Sequence, residues 1–457
     1  MMHASYSAEL PPGKGPFDRL NRWEAWGIVA IIVAAIGLGV ATEIHSAFLI
    51  RRQTDVDTYF RAAWAIRAGV NPYHVVDTNG WHYNYPPLLA ILLYPFGDAP
   101  PGGVPPNFIP YALSVGIWYV LSLIFTWIAV EWLARALERT STDPAVRSQP
   151  KYCRRWWALR IVPLLVVLPA LGRALARGQV NPLLMVCFSG AGAMLAYRRE
   201  LRAGVCAGFA AAIKLFPIFL VVYAVRRGGL KWLIGIVSAI VIGMGLIPLA
   251  VMGPSRTITA YRTLNRVIIE PALGLNHNTS RDRELFDVND TDSNSFEAVI
   301  DHTIHFGHLT PAPDRAVKIA HWTLSAVLVA LTILVGWRMK ADDPIARNVF
   351  LGTLIAIMLP IIPICHPHYF CMVLPLPMAL LASKWEKDHR LPIGWGLGWV
   401  LILFAAAHIL TVLPKPFAYL RDLGLVMYAD VILWAVGMLW MWRFGSTSEN
   451  SAPTVPA

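Results

Sequence analysis

Two carboxylates, Asp55 and Asp57, stand just past the first long apolar run, in the stretch Asp55-Val56-Asp57-Thr58-Tyr59-Phe60-Arg61. Asn71-Pro72-Tyr73 and Tyr83-Asn84-Tyr85-Pro86-Pro87 follow. The flanking sequence is apolar enough for lipid, where an ionised carboxylate is costly, so acids at that boundary point to proton transfer. Either aspartate is a candidate general base. Histidine relays protons near neutral pH, and His366-Pro367-His368-Tyr369 offers His368 as a further catalytic group, with His366 and Tyr369 as substrate contacts. The competing reading is a pair of interfacial histidines bonded to loop backbone. Guanidinium forks match anionic oxygens. Arg173 and Arg177, beside Gly178-Gln179, and Lys214 are therefore candidates to hold an anionic substrate group, although arginines at helix ends also serve as snorkelling anchors. Tyr59, Arg61, Tyr85, Gln179, Asn181 and Asn294 complete the candidate binding set, and buried amides also serve as interhelical glue.

The elements that must position these groups are membrane helices. Of 457 residues, 56% are hydrophobic and only 15% charged, with a mean hydropathy of +0.51. That excludes an ordinary soluble enzyme. Apolar runs recur at 26–42, 108–130, 180–197, 232–252, 319–337, 348–364, 391–413 and 423–442, uncharged but for Asp430 in the last, and each approaches or exceeds the roughly 17–25 residues of a spanning helix. Shorter or interrupted candidates lie at 86–96, 156–171, 203–225 and 369–383. The expected fold is all-α, a polytopic bundle of about 11–13 helices. A cytoplasmic segment 1–24 precedes a transmembrane domain 25–443, with a first outer loop 44–85 and a large outer loop 253–318. A disordered cytoplasmic tail 444–457 closes the chain.

Lys and Arg concentrate at 135–160, 198–202, 226–231, 338–347 and 384–390, which places those loops in the cytoplasm. Both long outer loops then face the same, extracytoplasmic side. The alternation closes if the 86–96 segment only dips into the membrane and makes one net crossing with 108–130; the rival is a thin full span with the 135–160 loop outside. The 203–225 segment is basic at both ends and interrupted by Lys214 and Pro217. That predicts a helix-break-helix which enters and returns, with Lys214 facing a cavity. Residues 51–85 mix apolar and basic side chains and predict a short interfacial helix holding Asp55 and Asp57 at the lipid–water boundary.

The net charge of +11 is dispersed over short loops, so it reads as topology, and no nucleic-acid partner is expected. Cys153, Cys187, Cys206, Cys365 and Cys371 lack metal-ligand spacing and predict neither a disulfide nor a metal. In the large outer loop, Asn276-His277-Asn278-Thr279-Ser280 precede Asp282, Glu284, Asp287, Asp290 and Asp292. Without an EF-hand glycine and closing glutamate, these acids read as a solvated loop with a part in substrate selection. Glu131 and Asp430 fall within apolar runs, where a cap or a partner arginine would account for them.

These motifs resemble glycosyltransferase family 87, polyprenyl-phosphate-sugar-dependent membrane enzymes of the GT-C fold. The likeness runs through Asp55-x-x-x-Tyr59-Phe60-Arg61-Ala62-Ala63, Gly69-x-Asn71-Pro72-Tyr73 and Tyr83-x-Tyr85-Pro86-Pro87-Leu88, then Arg177-Gly178-Gln179-Val180-Asn181 and the 203–217 stretch ending Lys214-Leu215-Phe216-Pro217. It closes with Asn294-Ser295 and His368-Tyr369. The resemblance implies transfer of a sugar, with inversion and without a nucleotide sugar, from a polyprenyl phosphate to a glycolipid or glycan hydroxyl on the extracytoplasmic side. Members include mannosyltransferases and arabinofuranosyltransferases. No cofactor beyond the donor is implied, the partners being donor, lipid or glycan acceptor and the bilayer of a multi-pass plasma-membrane protein. The family's acid corresponds to Asp55; the second acid, Asp57, departs from the pattern. A secondary transporter or lipid flippase, which also uses broken helices and buried lysines, and a non-catalytic membrane scaffold are the rival readings.

Overall fold

Capping residues, prolines at first helical positions and glycines at turns cut the apolar runs into helices. The computed structural model describes residues 15–45, 48, 55–225, 229–272, 275, 281, 284, 293–305, 314–339, 343–388, 391, 393–411 and 418–444. Among these there is no strand, only two isolated bridges. The all-α expectation holds.

In chain order the helices are α1 Arg22–Ile44, α2 Asp55–Ala68, α3 Pro87–Leu92, α4 Tyr111–Thr140, α5 Pro144–Arg147, α6 Arg154–Ala176, α7 Asn181–Ala196, α8 Glu200–Ile213 and α9 Gly229–Met252. There follow α10 Pro254–Leu264, α11 Phe296–Ile304, α12 Arg315–Trp337, α13 Pro344–Ile361, α14 Pro375–Asp388, α15 Trp395–Leu410 and α16 Leu425–Phe444. Asn21 and Glu24 form a capping box on α1, each side chain accepting the other's backbone N–H at 2.8 Å. Asp143, Ser295, Asp314 and Asp343 cap α5, α11, α12 and α13. Such oxygens satisfy N–H groups that have no partner within the helix.

Seven of these helices, α1, α4, α6, α9, α12, α13 and α16, are long and apolar enough to cross a membrane. α7, α15 and the 3₁₀ segment Phe216–Val225 are shorter apolar helices. The rest of the 11–13 expected spans are thus short or interrupted, for visible reasons. The 86–96 segment is a six-residue helix, α3, followed by a 3₁₀ turn; α3 rises about 9 Å, far short of the hydrocarbon layer. Its shortness is compatible with the dipping segment of the preferred topology. The 203–225 segment breaks after Ile213: Lys214 is extended, and the 3₁₀ helix resumes at Phe216 and packs back against α8.

The core runs through α4, α6, α7, α8, α13 and α14, where α13 is buried over most of its length. Small residues bring α8 and α9 close: a Cβ on Gly208 would stand 2.5 Å from the Ile236 carbonyl oxygen, in a Gly204-x-x-x-Gly208 pattern. Such stripes let helix backbones touch where no hydrophobic drive operates between them. Arg160, fully buried, donates to Glu138 at 2.7 Å and Glu131 at 2.5 Å and lies 3.7 Å over the Trp156 ring. Glu131 therefore has the arginine partner anticipated for it. Asp430 is fully buried in α16, and its oxygens have no hydrogen-bond partner among the described residues.

One expectation is corrected. α2 does not lie half in lipid, because eleven of its residues, Val56 through Ile66, are buried inside the protein. Its apolar and polar faces both have protein neighbours: α3 and the 94–96 turn pack on it, and Arg61 reaches Asp98 at 3.2 Å.

Candidate functional site

The start of α2, the turn between α6 and α7, the break after α8 and the 362–369 segment converge on one cavity of about 780 Å³. Asp55, Tyr59, Tyr85, Arg177, Gln179, Lys214, His366 and Tyr369 all line it. Of the fourteen candidates from the sequence, these eight are brought together.

Glycine makes the convergence possible. Gly178 has φ +61°, and a Cβ there would meet the Val56 Cβ at 2.7 Å. Only a residue without a side chain lets the α6–α7 turn press against the first turn of α2. The Trp118 indole fixes the turn by donating to the Gly178 carbonyl at 2.8 Å. Gln179 is thereby delivered to Asp55: its Nε2 donates to Asp55 Oδ2, while its Oε1 accepts from the Tyr59 hydroxyl at 3.1 Å. The Tyr59 hydroxyl also lies 3.0 Å from that of Tyr85. Burial and the neighbouring Tyr85 and Asp55 raise Tyr59 well above the usual phenol range; burial raises Tyr85 as well. Both therefore remain neutral hydrogen-bonding groups.

Lys214 supplies the amine opposite, its pKa lowered by burial to about 7 against the pull of Asp55, so that an anion in the cavity would favour its charged form. Its ammonium stands 3.7 Å from the centroid of Tyr369, 5.2 Å from Tyr85 and 5.4 Å from Phe216. It has no hydrogen-bond acceptor among the described residues. Aromatic faces partly stabilise a cation but leave its three donors unused, so the pocket suits an incoming anion. Arg177 lines the same cavity. Leu215, Ile218, Ile268, Ile269, Ala272, Ile362 and Ile364 make an apolar flank beside these polar groups.

The other six candidates are supporting. Asp57 points the opposite way from Asp55: fully buried, it accepts from the Thr78 hydroxyl at 2.5 Å and braces its own loop. Arg61 pairs with buried Asp98, and Arg173 donates to the Thr411 hydroxyl at 2.8 Å. Asn181 donates to the His368 carbonyl at 2.9 Å, while the Asn294 N–H donates to the Cys365 carbonyl at 2.6 Å. His368 is buried behind the cavity wall, its ring stacked 5.3 Å from that of His366. Burial, then the positive neighbours His366, Arg177, Lys214 and Arg173, push its pKa well below the ordinary histidine range. It is held neutral in this position, and of the two histidines His366 is the one that lines the cavity.

Among the lining residues not singled out as site residues are Trp81, His82, Asn84 and Glu284. Glu284, read as one of several solvated acids, receives the His82 Nδ1 at 2.7 Å and the His82 N–H at 3.2 Å. Arg281, also unanticipated and buried, donates to the Tyr83 carbonyl and the Asn84 Oδ1, both at 3.1 Å, and to the Tyr73 carbonyl. These contacts join the 253–318 loop to the 44–85 loop. Residues 276–280, 282, 287, 290 and 292, assigned above to that acidic loop, lie outside the described residues. All five cysteines are free.

No curated protein matches the chain. A family model for glycosyltransferase family 87 matches residues 81–367, which takes in the Tyr83–Pro87 motif, the Arg177–Asn181 turn, the Lys214 break and His366. Asp55 lies ahead of the matched stretch, so its place in the site rests on the geometry around Gln179. A helical membrane protein, a cavity uniting a carboxylate with cations and this match over more than half of its length together make the chain a member of glycosyltransferase family 87, and hence a membrane glycosyltransferase.

Proposed function

We propose that the protein transfers a sugar from a polyprenyl phosphate to a glycolipid or glycan hydroxyl, with inversion, at the extracytoplasmic face of the plasma membrane, using no metal or other cofactor. The observation that carries this reading is the coexistence, in one cavity with an apolar flank, of Asp55 held by Gln179 and the unpaired ammonium of Lys214 beside Arg177.

Asp55 accepts the proton of the acceptor hydroxyl as that oxygen bonds to the anomeric carbon. On the opposite face the bond from that carbon to the phosphate oxygen breaks, and its electron pair leaves with the phosphate. The donor is a singly charged phosphodiester and the product a phosphate monoester, so negative charge grows on the leaving oxygens during reaction. Lys214 and Arg177 bind that developing charge more strongly than the ground state, which is the condition for accelerating the step. The isoleucine flank suits the first isoprene units, and Tyr59, Tyr85 and Gln179 offer hydrogen bonds to the transferred sugar. Mannose, arabinofuranose and other hexoses or pentoses all satisfy this chemistry.

A transporter or flippase also employs a broken helix, a buried lysine and carboxylates, and it is the family match that favours the transferase. The test is to supply purified protein, in detergent and in liposomes, with radiolabelled polyprenyl-phosphate mannose and polyprenyl-phosphate arabinofuranose plus octyl glycoside acceptors. A new glycosidic bond and released polyprenyl phosphate are expected. Movement of intact donor between leaflets without such a bond would support the transporter instead.

A further inference from the structure

The cavity has a rim whose chemistry differs from that of the proposed catalytic wall. Trp81, His82, Asn84 and Glu284 line it, and the turn that bears Trp81 is rigidly built. Asp77 Oδ1 accepts the N–H groups of Asn79 at 2.8 Å and Trp81 at 2.9 Å, Asp77 Oδ2 accepts from the Thr58 hydroxyl at 2.9 Å, and the Asp77 N–H donates to the Trp81 carbonyl at 2.9 Å. Gly80, at φ +83°, closes the turn. Trp81 nevertheless remains 39% exposed, and its indole N–H has no partner among the described residues. Asn84 is oriented: Arg281 occupies its carbonyl oxygen, which leaves the amide N–H donors for the cavity. Glu284 is held by two bonds from His82 and retains acceptor capacity.

We propose that this rim is the acceptor subsite, with Trp81, Asn84 and Glu284 recognising a pyranose ring of the glycolipid or glycan acceptor. The proposal rests on the transferase reading above. The cations of the cavity are Lys214 and Arg177, which draw a phosphate, whereas the rim carries none but the His82 ring bonded to Glu284, whose carboxylate suits a neutral polyol. A flat indole carried on a fixed turn offers dispersion and C–H/π contact to the axial hydrogens of a pyranose. An oriented amide donor and a carboxylate acceptor at its side match the ring's hydroxyls. An alkyl chain ending in one hydroxyl would use none of these groups.

The test compares octyl α-D-mannopyranoside, octyl β-D-glucopyranoside and n-octanol as acceptors for the wild type, Trp81→Ala, Trp81→Phe and Asn84→Ala. In parallel, binding of methyl α-D-mannopyranoside is followed by saturation-transfer NMR, which needs no turnover. The wild type is expected to use a glycoside and not octanol. Trp81→Ala is expected to raise the acceptor KM by about tenfold with the donor KM unchanged, and Trp81→Phe to recover most of that loss. The NMR signal of the methyl glycoside is expected to weaken in Trp81→Ala and Asn84→Ala alike. Equal use of octanol, an unchanged acceptor KM, a rise confined to the donor KM, or an NMR signal indifferent to both substitutions would overturn the subsite. If no donor supports transfer by the wild type, the transferase reading fails on that arm, and the NMR arm still decides whether the rim binds a sugar.

Discussion

At the scale of single residues, the site turns on a distinction that two neighbouring acids make between themselves. Asp55 and Asp57 are both in the first turn of α2, and two residues along a helix rotate a side chain by about 200°, so they face opposite ways. Asp55 enters the cavity and Asp57 ties down Thr78. Sequence alone left the pair unresolved, because the spacing shows that they diverge but not which one faces inward. Asp57→Asn is expected to lower stability by about 1.5–3 kcal/mol, the worth of a hydrogen bond to a charged group, read as an earlier thermal transition in detergent. His368 makes a pH prediction. Its folded pKa is depressed, so the unfolded chain binds the proton more readily, and stability falls as pH drops below about 6.5. Melting temperature should decline from pH 7 to pH 5, and His368→Asn should make that decline shallower; equal slopes would show that His368 does not contribute.

At the scale of elements, what the chain announced were breaks. Lys214 and Pro217 in an apolar run foretold the interruption after α8, and Pro86-Pro87 foretold a helix too short to span. Less visible was α2, whose mixed apolar and basic pattern reads as interfacial although protein covers both faces. Its burial depends on partners far away in sequence, Asp98 for Arg61 and Gly178 for Val56, and a local pattern holds no record of them. Gly178 tests this coupling. An alanine there meets Val56 and is strained at positive φ, at a cost of about 1–2 kcal/mol for the backbone alone. Gly178→Ala should shift Gln179 from Asp55 and reduce transfer more than it reduces folded yield. Adding Val56→Gly removes the Cβ that is met and should restore part of the activity; no recovery would mean that backbone strain alone explains the loss.

At the scale of the whole molecule, charge and helix length fit one path through the bilayer. The charge bias assigns the basic loops to the cytoplasm and both long loops to the other side, and Arg281 and Glu284 join those two loops at Tyr73, His82, Tyr83 and Asn84. All-helical architecture was plain in the composition, whereas this loop-to-loop clasp joins residues about two hundred positions apart and was not. A cysteine at exposed Val104 should react with an impermeant maleimide in intact cells, and one at exposed Tyr152 only after permeabilisation; the reverse would invert the topology. The central claim is that Asp55 takes the acceptor's proton at a cavity built to receive a lipid phosphate. It is tested most directly by measuring sugar transfer from a polyprenyl-phosphate donor by Asp55→Asn and Asp57→Asn proteins, each confirmed as folded. The account predicts that Asp55→Asn lowers kcat by about 100-fold or more, with donor binding retained, while folded Asp57→Asn keeps most of its turnover. Near-wild-type turnover by Asp55→Asn, or a loss confined to Asp57→Asn, would contradict it.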